Sequence, residues 1–509
     1  MATIWIIVIY LGALLAFAMG SKIFFRGTST DYFVASRSIG PFMLLMSVFG
    51  TTMTAFALVG STGKSFERGI GTYGLMASSS GLIHAACFLL IGLKLWAIGK
   101  RHGYVTQIQF FRARFDSNGL GYLLFPILVL LVIPYLLIGV IGAAKTIGGV
   151  TGPKKTPRGM IEGTFPDLFE STGGAIPPWL TGAVICIVVL CYIFAGGSRA
   201  AAWANTFQTL VFMTMGVLAF ILISNKLGGL GAAIEQAKEG HLVRTVSSEG
   251  KVGVPPIMFA TYMFIPLSVG MFPHLFQHWL TAKSAKAFKL TVIAHPICIM
   301  IVWVPCVLIG LWATGLKPLE GAAPAAVLAK MVGILVKDPV IVGLVTAGIL
   351  AAIMSSLDSQ FLCLGTIFTN DIVLHNTKKK YTDKQILLMA RGFVLAIVVI
   401  TYVLAMVLIN QNVFDLAVWC FSGFAALTPL VIAALYWRRS TKEGAIASIV
   451  ATTVVWFYFF AKSGFGGEYV ILGGVMPVAV CWLTGVVAMV AVSLATKPPS
   501  KETVDKFFP

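Results

Sequence analysis

The chain has 509 residues, 58% of them hydrophobic and only 11% charged, with a formal net charge of +18. Soluble domains carry about 25% charged and about 45–50% apolar residues, so soluble enzymes, nucleic-acid binders and disordered chains are excluded. Long unbroken apolar runs, in place of ten-residue alternation, exclude an outer-membrane barrel and predict an all-α polytopic membrane protein.

At roughly 20 residues per crossing, these runs predict about thirteen transmembrane helices. They lie near 3–24, 41–62, 72–98, 120–147, 177–196, 202–225, 254–277, 288–315, 340–369, 387–410, 413–436, 444–462 and 470–495. Residues 1–21 carry no charged side chain, so no basic region of a cleavable signal peptide precedes the first run, which is expected to stay. The run at 340–369 exceeds the bilayer requirement and is expected to tilt or project. Polar stretches at 148–176, 226–253 and 316–338 read as solvated loops, the last with a short helix at 323–336. The tail after 495 is too short for a separate domain. All eight cysteines fall in apolar runs without a Cys-x-x-Cys pair and read as small buried hydrophobes.

Orientation follows from the cations. An outside N-terminus gathers Lys22, Arg26, Arg37, Lys100, Arg101, Lys378, Lys379, Lys380, Arg438 and Arg439 on the cytoplasmic side. The C-terminus is then cytoplasmic and the chain spans a plasma (inner) membrane many times, with lipid as its constant partner. The basic excess is thus a topology signal, and no nucleic-acid partner is expected.

Ionisable and polar groups inside a membrane are costly and mark ion or solute paths. Asp358 is the only acid deep within a run. Beside it, Ala352, Ser355, Ser356 and Ser359 recur at helical spacing and share one face. Such a hard-oxygen surface suits a small alkali cation. The plainer reading has the serines bonding back to their own helix and Asp358 paired with a lysine, and both readings stand at this point. A second interruption, Gly50-Thr51-Thr52-Met53-Thr54, puts a glycine and three threonines at mid-span. Irregular backbone at membrane depth is tolerated where it lines a cavity, and transporters use it to bind sodium.

These segments, with Asp31-Tyr-Phe-Val-Ala-Ser-Arg37, Gly196-Gly197, Trp203-Ala-Asn205-Thr-Phe-Gln208, Pro273-His274 and Phe421-Ser-Gly423, resemble the sodium/solute symporter family over about residues 30–445. The resemblance implies a LeuT-like core of two inverted five-helix repeats, and alternating access to a solute site between them. The repeats would occupy 41–225 and 254–436. Residues 1–40 supply an extra helix and cytoplasmic loop, 226–253 an extracellular loop, 437–495 two further helices and 496–509 a cytoplasmic tail. The resemblance also implies a sodium site at the carbonyls of Gly50, Met53 and Ala352 and the hydroxyls of Ser355 and Ser356. Some members bind a second sodium through an aspartate where this chain has Asn205. Here the carboxylate is Asp358, so either Asn205, Ser355, Asp358 and Ser359 form a cation site with the charge transposed, or that site is lost.

For the solute, the positions aligned with sugar contacts are Phe56, Ala57, Gly81, Ile265 and Trp419, which suit a polyol poorly. Thr54, Phe56, His84, Ser268 and Trp419 are the expected lining of a small aromatic site. An organic acid or amino acid is favoured over a sugar. The competing functions are a transporter-like solute sensor and a proton-coupled symporter using Asp358. An enzyme is disfavoured, because no nucleophile and base stand at suitable spacing.

Overall fold

The computed structural model describes residues 1–76, 79–156, 159–243 and 252–508, with the side chains of 154–156 and 159–160 left aside. Its principal helices are α1 (Ala2–Gly20), α2 (Pro41–Thr52), α3 (Ser61–Arg68), α4 (Ser80–Cys87), α5 (Leu93–His102) and α6 (Gln107–Phe115). They continue with α7 (Asn118–Thr151), α8 (Pro178–Lys226), α9 (Pro256–Tyr262), α10 (Pro273–Thr281), α11 (Ala287–Ala313) and α12 (Val327–Leu335). The last six are α13 (Pro339–Ile367), α14 (Asp383–Val407), α15 (Val413–Ala426), α16 (Thr428–Tyr436), α17 (Lys442–Lys462) and α18 (Pro477–Ala495).

Among the described residues, ten helices are long and apolar enough to cross a membrane, or eleven if the pair bent by 48° at 271–272 is one span. Two mergers separate this count from the thirteen apolar runs. Phe56–His102 joins the second half of a broken helix to the following crossing. Pro178–Lys226 runs on as one helix except at Gly197, whose φ of 54° and ψ of −136° turn the chain there. A Cβ at Gly197 would collide with the Tyr32 backbone oxygen and ring, so only glycine serves. The segment read as loop at 148–176 also holds a small antiparallel pair, Lys154–Thr156 with Gly159–Ile161.

At the centre stands α13. Every residue from Val345 to Ile367 is buried, as befits a helix apolar on nearly all sides. It packs against α1, α2, α7, α8 and α14. Close approach depends on small residues such as Gly348, where a Cβ would press on Met215.

The segment before α2 is clamped by charge. Asp31 accepts from Arg199 Nη2 at 2.6 Å, Ser36 Oγ at 2.8 Å and the Arg26 amide at 3.0 Å. Ala35, Ser36 and Arg37 follow with φ of 48°, 49° and 52°, a left-handed triplet without glycine. Arg37 then donates to the carbonyls of Tyr104 at 2.7 Å, Gly99 at 3.2 Å and Leu280 at 3.3 Å. The backbone of Ile39 bridges Thr281 and Lys283, which ties α2 to the end of α10.

Burial alone would raise the Asp31 carboxyl, but the hydrogen bonds from Arg199, the Arg26 amide and Ser36 outweigh it and hold the group below its usual value. A depressed carboxylate stabilises the fold above its unfolded pKa of about 3.9, and that contribution is lost as pH falls through the folded value. Asp31→Asn should therefore lower the melting temperature at pH 7. The gap to wild type should narrow once the pH drops below about 4; thermal melts in detergent between pH 7 and pH 3 measure it.

Candidate functional site

The first core helix breaks where glycine and threonines interrupt its apolar run. α2 ends at Thr52, and Met53 has φ of −91° and ψ of 91°. The Phe56 amide then donates to Thr54 Oγ1 at 3.0 Å, and the chain restarts through a wide turn at Phe56–Gly60 into α3. A helix end leaves its last carbonyls without intrahelical donors. This end lies against the serine face of α13.

Ser355 Oγ reaches the Gly50 carbonyl at 2.8 Å and the Ala352 carbonyl at 3.0 Å. Gly50 is needed where α2 meets α8, since a Cβ there would collide with Thr209 Oγ1. The Met53 amide donates back to Gly50 O at 3.2 Å. Ser356 Oγ turns to Ile353 O on its own helix at 2.9 Å. Gly50, Ala352 and Ser355 are thus joined directly, Met53 flanks them, and Ser356 adopts the plainer back-bonded arrangement.

Asn205, Asp358 and Ser359 also come together. Asp358 Oδ1 accepts from Ser359 Oγ at 2.8 Å and Oδ2 accepts from Tyr192 OH at 3.0 Å. With its amide nitrogen toward the carboxylate, Asn205 donates to Asp358 Oδ2 at 3.1 Å and to Ser355 O at 3.0 Å. Ser359 Oγ meets His278 Nε2 at 2.9 Å and Thr51 Oγ1 at 3.0 Å. All of these groups are buried. The lysine partner expected under the plainer reading of Asp358 is not present among the described residues; the partners are neutral hydroxyl and amide donors. Tyr192 and His278 were missed by sequence reasoning, and Thr51 was seen only as part of the polar interruption, not as a partner of Ser359. His274 was singled out instead, but its ring packs between Tyr135 and Phe272, one turn before His278.

Four of the five residues expected to line the solute site divide between two cavities. Phe56, His84 and Ser268 line one of about 390 Å³ with Thr52, Ser80, Tyr135, Tyr262, Trp303 and Phe421. His84 Nδ1 meets His295 Nε2 at 3.1 Å, so one imidazole donates and the other accepts. No charged side chain is among the described residues lining this cavity. Trp419 lies elsewhere, in a cavity of about 450 Å³ with Lys64, Asp415 and Glu468. Thr54 lines neither, because its hydroxyl caps the restarted chain at Phe56.

The curated relatives are transporters of matching length. The osmoregulated proline transporter OpuE of Bacillus subtilis is 27% identical over 497 residues, covering 94% of this chain and 92% of its own. The sodium/proline symporter of Escherichia coli is 26% identical over 500 residues, covering 94% and 90%. The sodium/pantothenate symporter of the same organism is 25% identical, covering 85% of each chain. In fold, the chain is similar to a Na+-coupled sialic acid symporter, solved substrate-bound and outward-open, with a TM-score of 0.75 and 17% identity over 98% of this chain and 99% of that one. It is also similar to Mhp1, a nucleobase-cation-symport-1 family transporter, with a TM-score of 0.57 and 15% identity over 94% and 98%. These neighbours agree with the LeuT-like arrangement expected from the sequence. The profile of the Sodium:solute symporter family matches residues 32–156 and 178–451, so this multi-pass membrane protein belongs to that family.

Proposed function

We infer that the chain imports a small organic solute, an organic acid or amino acid rather than a sugar, coupled to sodium and by alternating access. Family membership supports sodium coupling in general. The observation that carries the specific reading is the meeting of the broken helix with the serine face, where Ser355 Oγ touches Gly50 O and Ala352 O. Sodium at Gly50, Met53, Ala352, Ser355 and Ser356 would replace these hydrogen bonds with ion contacts. It would thereby bridge α2, in the repeat taken as 41–225, to α13, in the repeat taken as 254–436. An ion that binds one arrangement of the repeats more tightly than the other biases their equilibrium, and that bias is the coupling.

The N-terminus lies outside in this reading, so the Arg37 clamp faces the cytoplasm and the Lys64 group faces outward. Uptake by proteoliposomes under an imposed inward sodium gradient, with potassium replacing sodium as the control, tests the reading. Equal uptake in both media would overturn it.

Asp358 favours a second cation near Asn205 and Ser359, because a buried carboxylate with only neutral partners calls for a compensating charge. Asp358→Asn should then lower the Hill coefficient for sodium from about two toward one. A wild-type coefficient near one, unchanged in the variant, would leave Asp358 as a bound proton carrier or a structural group. Uptake driven by a pH gradient without sodium distinguishes those two.

A further inference from the structure

The two cavities are adjacent. Tyr262 and Ile265 line both and stand between them. Their chemistry differs sharply. The inner cavity is uncharged among the described residues, whereas the outer one is bordered by Lys64, Asp415 and Glu468.

Lys64 is almost fully buried, with its side chain 1% exposed, and its Nζ lies 3.1 Å from Glu468, 3.5 Å from Asp415 and 3.7 Å from Glu67. Arg68 pairs with Glu468 at 2.9 Å. Among the described residues, three carboxylates therefore surround two cations, one negative charge in excess. Asp415 is the underused member. Its side chain is 12% exposed and accepts one hydrogen bond, from Lys64 at 3.5 Å, whereas an ionised carboxylate can accept about four. Phe414, Trp419 and Tyr262 supply aromatic wall, and Trp419 is held in place by donating to Gly467 O at 2.8 Å.

We propose that this outer cavity is a reception site that selects solutes bearing both an ammonium and a carboxylate group, that is, the amino-acid class. The proposal rests on the symporter reading and narrows its solute. An ammonium supplies the positive charge the cluster lacks and gives Asp415 the donors it is short of. A carboxylate takes a share of Lys64, and the aromatic walls cover the body between. A simple anion meets the excess negative charge. A simple cation pairs with Asp415, then carries an uncompensated charge into the uncharged inner cavity. The zwitterion satisfies both sites because its net charge is zero.

The test uses the full chain in nanodiscs with saturating sodium and two matched probe sets. One is L-proline, cyclopentanecarboxylate and pyrrolidine; the other is L-leucine, 4-methylpentanoate and isopentylamine. Dissociation constants come from thermal-shift titration. In at least one set the zwitterion should bind about tenfold or more tighter than both half-charged analogues. Asp415→Asn, and the loop variant Glu468→Gln should the first fold poorly, should erode the zwitterion-to-acid preference by about tenfold while changing affinity for the acid little. A purely structural role would weaken every probe together. That result, or the absence of any set in which the zwitterion outbinds both of its analogues, overturns the proposal. At one sodium concentration, sodium alone should also stabilise wild type more than Ser355→Ala; failure there counts against the symporter reading and is scored separately.

Discussion

Ser355→Ala should raise the sodium concentration for half-maximal uptake by about tenfold or more, or abolish the sodium dependence altogether. Among the described residues, Ser355 Oγ is the one side-chain atom that meets both the Gly50 and the Ala352 carbonyls. Alanine removes a ligand from the ion-bound state and, from the ion-free state, one of the side-chain hydrogen bonds joining α2 to α13, beside those of Thr51 to Ser355 O and Ser359 Oγ. The ion-bound state loses more, because interactions with a charge are worth about twice neutral ones. Ser356→Ala should act in the same direction but less strongly, since its hydroxyl is already satisfied by Ile353 O. Sodium-activation curves in proteoliposomes, compared with melting temperatures of the same preparations, separate lost ion binding from lost folding. Unchanged sodium activation in Ser355→Ala would remove the proposed site.

The largest stability effect is expected at Arg112 and Asp371. Arg112 Nη1 donates to Asp371 Oδ1 at 3.2 Å and Nη2 donates to the Asp371 carbonyl at 3.0 Å, with side-chain exposures of 7% and 0%. The pair joins α6 to the end of the central helix. Gly121 on α7 makes room for it, because a Cβ there would collide with Arg112 Nε. Removing one partner of a buried pair leaves an uncompensated charge and costs about 3–5 kcal/mol. Asp371→Leu alone should therefore melt far below wild type and lose its monodisperse peak in detergent chromatography. The double variant Arg112→Met with Asp371→Leu should recover most of the loss, as apolar replacement of a buried pair is often neutral. If the double variant is no better than the single, the charge argument fails and packing at Gly121 becomes the cause.

Much of the fold was legible in the sequence because apolar runs report the lipid directly. The break at Gly50–Thr54 was visible for the same reason, as polar backbone in the wrong solvent. The turn at Gly197 was only half visible. Its neighbours are as apolar as any helix interior, and the collision with Tyr32 that demands glycine is a tertiary fact. The short pair at Lys154–Ile161 lay in a stretch whose charges and prolines resembled plain loop. Residues sharing a helix face were found together: Ser355, Ser356 and Ser359 stand on one stripe. Residues meeting from distant elements were not. Tyr192, Thr51 and His278 converge on Asp358 and Ser359 from three other segments, and no spacing rule links them. Lys64 did not stand out in the sequence, because its three acids lie at positions 67, 415 and 468. Trp419 was assigned to the solute site by alignment with the inner positions, and the fold carries it one cavity outward.

The three consecutive residues wound against the natural hand before α2 have an energetic corollary. Left-handed backbone costs about 1–2 kcal/mol for each residue carrying a Cβ, and Ala35, Ser36 and Arg37 all do. The Arg199 and Arg37 hydrogen bonds hold this coil wound while the segment is docked. Once they release, the main chain is free to relax to ordinary angles, and that recoil offsets part of the bonds broken. Breaking these hydrogen bonds would therefore cost less than their number alone suggests, because the strained angles would relax with them.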